Sequence, residues 1–312
     1  MIEVNNLVKR YGAKTAVDHI SFKIDDGEVV GFLGPNGAGK STTMNVLTGY
    51  ISSTDGTVKI DGYDVLENPS EVKRRIGFLP ETPPLYMDMT VNEYLRFACS
   101  IKGVKRPYEK HIANICELVG IAHVRKRLIR NLSKGYKQRT GLAQALIGNP
   151  STIILDEPTV GLDPIQIIGV RKIISELGNH STVILSSHIL PEVQSICKRV
   201  LVINEGKICA DGLIDDLSER AEENHSLKVR IAGDEETVRG VLNTIPGVIQ
   251  VQTLDSGEQG ARDYLVSGTN GVDLRQDTFA AIRDSGLVLL AMKPTGMTLE
   301  DLFLKLTVKG EI

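Results

Sequence analysis

The residues with the clearest chemistry are Gly34-Pro35-Asn36-Gly37-Ala38-Gly39-Lys40-Ser41-Thr42, which fit the pattern Gly, four residues, Gly-Lys-Ser/Thr. Glycines let successive backbone N–H groups close around phosphate oxygens. A helix starting at the end of such a run adds partial positive charge. Lys40 then reaches the β- and γ-phosphates of a nucleoside triphosphate, and the Ser41 hydroxyl ligates Mg²⁺. Carboxylates come from Ser151-Thr152-Ile153-Ile154-Leu155-Asp156-Glu157-Pro158, apolar until it ends on two acids. Beside the phosphate loop, Asp156 comes close to the Mg²⁺ and Glu157 polarises an attacking water. His188 stands just beyond the apolar run Thr182-Val183-Ile184-Leu185-Ser186-Ser187. Ligands of open α/β sheets sit at such carboxyl ends.

These groups need elements to position them. Val29-Val30-Gly31-Phe32-Leu33 reads as a buried strand entering the loop, and Thr43-Met44-Asn45-Val46-Leu47 as a helix leaving it. Residues 1–30 otherwise alternate as strands, with Tyr11-Gly12 in the turn between the first two. Thr57-Val58-Lys59-Ile60 and the Asp61-Gly62 turn form a further β unit. Arg75-Ile76-Gly77-Phe78-Leu79-Pro80-Glu81 reads as an apolar strand ending on an acid, and Pro83-Pro84 then interrupts regular structure. From about 90 to 147 the pattern is helical: Thr90 and Glu93 form a capping box, and Ser133 suits an N-cap.

The bulk properties bound the partners. The chain has 312 residues, enough for two domains, and a net charge of −3 that gives no sign of nucleic acid. Arg125 to Arg130 is basic, and a run this short reads as a solvated face. The four cysteines lack metal spacing and read as reduced thiols of a cytosolic protein. No signal peptide is expected from the opening residues, and no apolar run approaches the roughly 20 residues that span a bilayer. Any membrane role is therefore expected to act through a partner.

In order, the set is Gly34 to Ser41, Glu81, Leu132-Ser133-Lys134-Gly135-Tyr136, Asp156-Glu157, Asp163 and His188. It resembles the ATP-binding subunit of ABC transporters, over about residues 1–218. The resemblance implies an α/β phosphate-loop NTPase core with antiparallel β and helical subdomains. It implies that Tyr11 stacks on adenine, that Ser41, Glu81 and Asp156 hold Mg²⁺, and that Glu157 is the general base. His188 looks like the switch histidine at the γ-phosphate. Ser133 and Gly135 look like the signature that meets ATP bound to the opposite subunit, with Asp163 in the loop between the two sites. The family usually has Gln at position 81 and Leu-Ser-Gly-Gly-Gln at the signature. Here Glu81 adds negative charge, Lys134 offers charge attraction to phosphate, and Tyr136 lacks the amide. Such variants look similar to the exporter branch of sodium-export and gliding-motility ATPases.

That resemblance implies a homodimer, or a pair with a related subunit, hydrolysing ATP to drive a separate membrane permease. The permease would dock near Pro83 to Glu93, holding the chain on the inner, cytoplasmic face of the membrane. Translation factors of the same superfamily carry two cassettes, whereas this chain has one phosphate loop. DNA-repair relatives insert long coiled coils, for which residues 43–131 leave no room. A non-hydrolysing subunit would not need Lys40, Glu157 and His188.

Residues 219–312 read as an accessory domain. Leu227, Val229 and Ile231 alternate as a strand, and Val238, Val241, Leu242 and Ile245 form one helix face. Two strands, around Val251 and Tyr264, flank an Asp255-Ser256-Gly257 turn. A helix from Asp273 to Ser285 and a strand from Leu287 to Met292 come next. The order β-α-β-β-α-β suggests a small ferredoxin-like α+β domain. A final helix is expected from Thr298 through Leu306.

Overall fold

A computed structural model of the chain describes residues 1–217, 226–255, 258, 260–269, 272–295, 300 and 303. Two compact units result, Met1–Ile214 and Asp215–Ile312.

In the first unit, β1 (Ile2–Tyr11), β2 (Lys14–Ile24), β4 (Asp55–Ile60) and β5 (Tyr63–Asp64) form an antiparallel sheet in the order β2-β1-β4-β5. The second sheet holds β3 (Val29–Leu33), β6 (Ile76–Leu79), β7 (Thr152–Asp156), β8 (Thr182–Ser187), β9 (Arg199–Asn204) and β10 (Lys207–Leu213). Its order is β10-β9-β3-β8-β7-β6, with every pairing parallel except β10 with β9. Every residue of β7 and β8 is buried, as expected where both faces of a parallel sheet are covered. The helices are α1 (Lys40–Leu47), α2 (Pro69–Arg75), α3 (Val91–Ile101), α4 (Glu109–Leu118), α5 (Lys134–Leu146), α6 (Pro164–Leu177) and α7 (Leu190–Gln194).

One core joins the two sheets through α1. Met44, Val46 and Leu47 of this helix share a buried cluster with Phe32, Ile154, Ile184 and Leu201 from four strands of the parallel sheet. Ile2, Val4, Ile20 and Ile60 join from the antiparallel sheet. The helix carrying Lys40 is thus clamped between sheets, each buried side chain contributing about 1.5–3 kcal/mol. The capping box forms as expected: Thr90 Oγ1 accepts the Glu93 N–H, and Glu93 accepts the Thr90 N–H. Two details differ. Tyr11 is the last residue of β1, paired with Lys14, so the turn proper is Gly12-Ala13. Arg75 ends α2 instead of starting a strand, because Glu71 draws its guanidinium back one turn, at 2.7 Å.

The second unit contains β11 (Ser226–Ala232), α8 (Glu235–Asn243), β12 (Val248–Leu254), β13 (Ala261–Gly268), α9 (Arg275–Asp284) and β14 (Val288–Thr295). The sheet runs β12-β13-β11-β14 and is antiparallel throughout. Its own core includes Val229, Ile231, Val238, Leu242, Tyr264 and Ile282. The expected final helix, apart from residues 300 and 303, lies outside the described residues, as do Ser256 and Gly257 of the expected turn. Among the described residues no helix is long and apolar enough to cross a membrane.

A candidate nucleotide site at the ends of four parallel strands

Strands β3, β8, β7 and β6 are neighbours and parallel, so they end on one edge. Leu33 pairs with Ser187, Asp156 with Ser186, and Leu79 with Leu155. The segments leaving these strands therefore meet. They carry the phosphate loop, Glu157, His188 and Glu81.

The loop after β3 folds over the start of α1. Gly39 has φ 108°, and a Cβ there would lie 2.5 Å from the Ala16 carbonyl oxygen, so only glycine fits. Lys40, 6% exposed, donates through Nζ to the carbonyls of Gly34 at 2.8 Å and Pro35 at 3.2 Å. Its ammonium is also 3.5 Å from Glu157 Oε1. A buried ammonium needs such partners, and an anionic phosphate oxygen is a stronger one.

Glu157 has φ 48°, a left-handed conformation uncommon outside Gly, Asn and Asp. Its N–H donates to the Ser186 carbonyl at 3.3 Å and to Ser186 Oγ at 3.1 Å. This holds the carboxylate toward Lys40 and His188. His188 Nδ1 is 3.0 Å from each Glu157 oxygen. Asp156 is buried behind it and accepts a hydrogen bond from Ser186 Oγ.

These groups surround a cleft of about 460 Å³. Asn36, Gly37, Gly39, Lys40, Ser41 and Thr42 line one side. Tyr11, Glu81, Glu157 and His188 form the rest of the wall with Lys14, Ala16 and Val160, Tyr11 being half exposed with Lys9 Nζ 5.2 Å from its ring centre. Gly34, Pro35 and Ala38 brace the loop from behind. The Gly34 N–H donates to Ser187 O, and Ala38 O accepts the Gly206 N–H at 2.9 Å.

Ser133 and Gly135 do not line this cleft. Ser133 is the exposed N-cap of α5 and accepts the Tyr136 N–H. Gly135 packs on α6, where a Cβ would lie 2.1 Å from Gln166 Oε1. The Lys134 ammonium rests on Gly161 of its own chain, and Tyr136 OH is 3.0 Å from His123 Nε2. Asp163 caps α6 by accepting the Gln166 N–H at 2.9 Å.

Sequence reasoning missed the groups behind the site. Ser186 and Ser187 read there only as the end of a strand. Gln138 donates to the Pro158 carbonyl at 3.2 Å, tying α5 to the segment after Glu157. Glu192 is a buried acid that a short helical segment gives no reason to single out.

A phosphate loop between a parallel strand and a helix, faced by a carboxylate and a histidine, defines a phosphate-loop nucleoside triphosphatase. Residues 17–160 match the ABC transporter family. The chain is 40% identical over 222 residues to the bacitracin transport ATP-binding protein of Bacillus licheniformis, covering 70% of this chain and 72% of that one. It is 33% identical over 253 residues to the linearmycin resistance ATP-binding protein of Bacillus subtilis (strain 168), covering 80% and 81%. A solved structure of an ATP-binding subunit of an ABC transporter superposes with TM-score 0.65 at 31% identity, covering 70% of this chain and 92% of that one. The chain belongs to the ABC transporter family, as an ATP-binding and ATP-hydrolysing subunit.

Proposed function

We propose that two copies of this chain, or this chain and a related subunit, close face to face on two ATP molecules and drive a separate integral membrane permease, in the direction of export. The observation that carries this is the one-sidedness of the cleft. It holds the phosphate loop, Glu157 and His188, while Ser133 and Gly135 stand away from it at the start of α5. Free N–H groups at a helix start favour an anion. The signature of one copy then covers the ATP held by the other. The relatives that carry bacitracin transport and linearmycin resistance in their names favour export.

Within each site Lys40 holds the β- and γ-phosphates, Tyr11 stacks on adenine, and Glu157 takes the proton of the attacking water. His188 orients Glu157 and touches the γ-phosphate. Ser41, Glu81 and Asp156 offer oxygens only, the donor type that suits Mg²⁺. Bound there, Mg²⁺ neutralises charge on the phosphates. The permease docks on an apolar groove of about 600 Å³ lined by Pro84, Tyr86, Tyr94, Phe97 and Ile101, with Lys73 and Lys102 at its side. It thereby holds the chain on the cytoplasmic face of the membrane.

The test is complementation. Lys40→Ala kills the phosphate loop and leaves the signature; Ser133→Arg does the reverse. Each is expected to be inactive alone, and the mixture to recover hydrolysis through one composite site. Wild-type hydrolysis should rise with protein concentration. No recovery together with a concentration-independent rate would remove the shared-site reading.

A further inference from the structure

Glu192 lies on α7, four residues past His188, and is 5% exposed. A buried carboxylate persists only where hydrogen bonds and charge replace its water. Thr159 Oγ1 donates to Oε2 at 2.6 Å, and Ser187 Oγ donates to the same oxygen at 3.3 Å. Arg171 Nη2 lies 3.9 Å from Oε1. Thr159 comes two residues after Glu157, and Ser187 directly precedes His188. Arg171 is on α6, the helix that Asp163 caps. Ser187 also accepts the Ile189 N–H through its hydroxyl, at 3.0 Å, and the Gly34 N–H through its carbonyl, at 3.3 Å. One carboxylate thus joins the segments leaving β7 and β8, and α6.

We propose that Glu192 is a positioning residue for hydrolysis. It touches neither the cleft nor the triphosphate, and acts by fixing the segment after Glu157 against the segment carrying His188. The proposal rests on the reading of Glu157 as the group that activates water. Residues 157–160 leave the sheet in an irregular path that starts from a left-handed residue. The backbone bonds of Glu157 hold its near end, and Thr159 on Glu192 holds its far end. Without it the segment beyond Glu157 is held only by Gln138 on the Pro158 carbonyl and by its own turns, and the 3.0 Å contact of Glu157 with His188 loosens. ATP binding uses Lys40 and the loop amides, which Glu192 does not touch. Turnover and affinity therefore separate.

The experiment uses the full chain carrying Glu192→Met, which keeps the length of the side chain and removes its charge and its acceptor oxygens. Nucleotide affinity is measured by titration, and hydrolysis as single-turnover rate at saturating ATP and high protein concentration. The rate is expected to fall about 10- to 100-fold, the scale of a misplaced catalytic group. Affinity should stay within about threefold. Thr159→Val, which removes the same hydrogen bond, carries the same expectation if Glu192→Met fails to fold. The double variant should be no slower than the slower single one, since both cut one link. A rate within about twofold of wild type overturns the proposal, as does a parallel loss of rate and affinity. Glu157→Gln is measured alongside. If it keeps its turnover, the site reading fails and takes this proposal with it. If it is inactive while Glu192→Met is normal, the positioning role alone fails.

Discussion

Each unit of the chain buries a charge, and the two burials differ in what they leave free. In the first, Lys40 leans on two backbone carbonyls of its own loop and on Glu157 at 3.5 Å, beside an open cleft. In the second, Asp263 is 2% exposed and directly opposite Arg230 on the neighbouring strand. Arg230 grips both its oxygens, at 2.6 and 3.2 Å, and Lys228 adds a contact at 2.9 Å. The Arg230 guanidinium, seconded by the Lys228 ammonium, holds the Asp263 carboxyl down to about 2. Lys40 can exchange its partners for phosphate without leaving a charge unpaired. Both oxygens of Asp263 are already engaged by cations. A buried charge marks a functional site when its partners are replaceable, and a structural one when they are saturated.

The largest expected effect tests the replaceable cluster. Glu157→Gln should lower hydrolysis by about 10²- to 10⁴-fold, the usual worth of a general base, while ATP still binds. The variant should accumulate as an ATP-bound dimer, detectable by size-exclusion chromatography. Steady-state hydrolysis near the wild-type rate would move the base elsewhere, with Glu81 the next carboxylate on the cleft wall.

Lys40→Ala comes next. Removing the ammonium that we assign to the triphosphate should cost about 2–3 kcal/mol, or roughly 30- to 150-fold in nucleotide affinity. Because the partners lost are two carbonyls of the loop itself and Glu157, which keeps His188, the fold should survive. A titration with unchanged affinity would show that the cleft does not hold its phosphates at this loop.

Asp263→Asn probes the saturated cluster. We expect a loss of about 2 kcal/mol in the stability of the second unit. Fully buried pairs cost more to break, but the Arg230 and Lys228 side chains remain 34% and 42% exposed. ATP affinity should not change. The pH dependence has a definite sign. A carboxyl held below its ordinary value of 3.8 stabilises the fold fully above that value. The contribution is lost as pH falls through about 4 toward about 2. Unfolding of wild type and variant, measured as a function of pH, should converge toward the acid end; a gap that persists unchanged at low pH would contradict the ion-pair account.

How much of this was legible in the sequence depends on how local each contact is. The run 34–42 announced itself because its work is done by its own backbone and by one lysine six residues away. The Thr90–Glu93 capping box was legible for the same reason. Helix α2 was not, since it buries only Val72 and so leaves no periodicity to read. The β9–β10 hairpin was also overlooked: β10 alternates only between intermediate and exposed residues, without an apolar stripe. Glu192 was the least legible. Its meaning comes from Thr159, which lies 33 positions earlier and is brought to it only when β7 and β8 pair. Ser133 and Gly135, singled out by their pattern, stand apart from the cleft of their own chain, and the role we propose for them lies across a second copy.

The smallest expected effect bears on whether the two clusters belong to independent folding units. We propose that residues 1–218 form a self-sufficient ATPase domain and 219–312 an accessory one. The first core draws on residues from Ile2 to Ile208, and the second on residues from Leu227 to Met292. Among the described residues, neither cluster includes a side chain from the other's segment. The compact units divide between Ile214 and Asp215, so a cut just after Leu217, next to the proposed boundary, keeps the whole of the first unit. Every residue on the cleft wall, from Tyr11 to His188, lies upstream of that cut, and so does Glu192. Domains with separate cores fold separately. The truncated chain should therefore unfold in one cooperative transition and bind ATP within about twofold of the full chain. Calorimetry and a nucleotide titration on the two proteins read this directly. An insoluble or non-binding truncation would mean that the cleft depends on residues beyond Leu217. The saturated Asp263 cluster would then share in holding the site, and the contrast between the two burials would lose its basis.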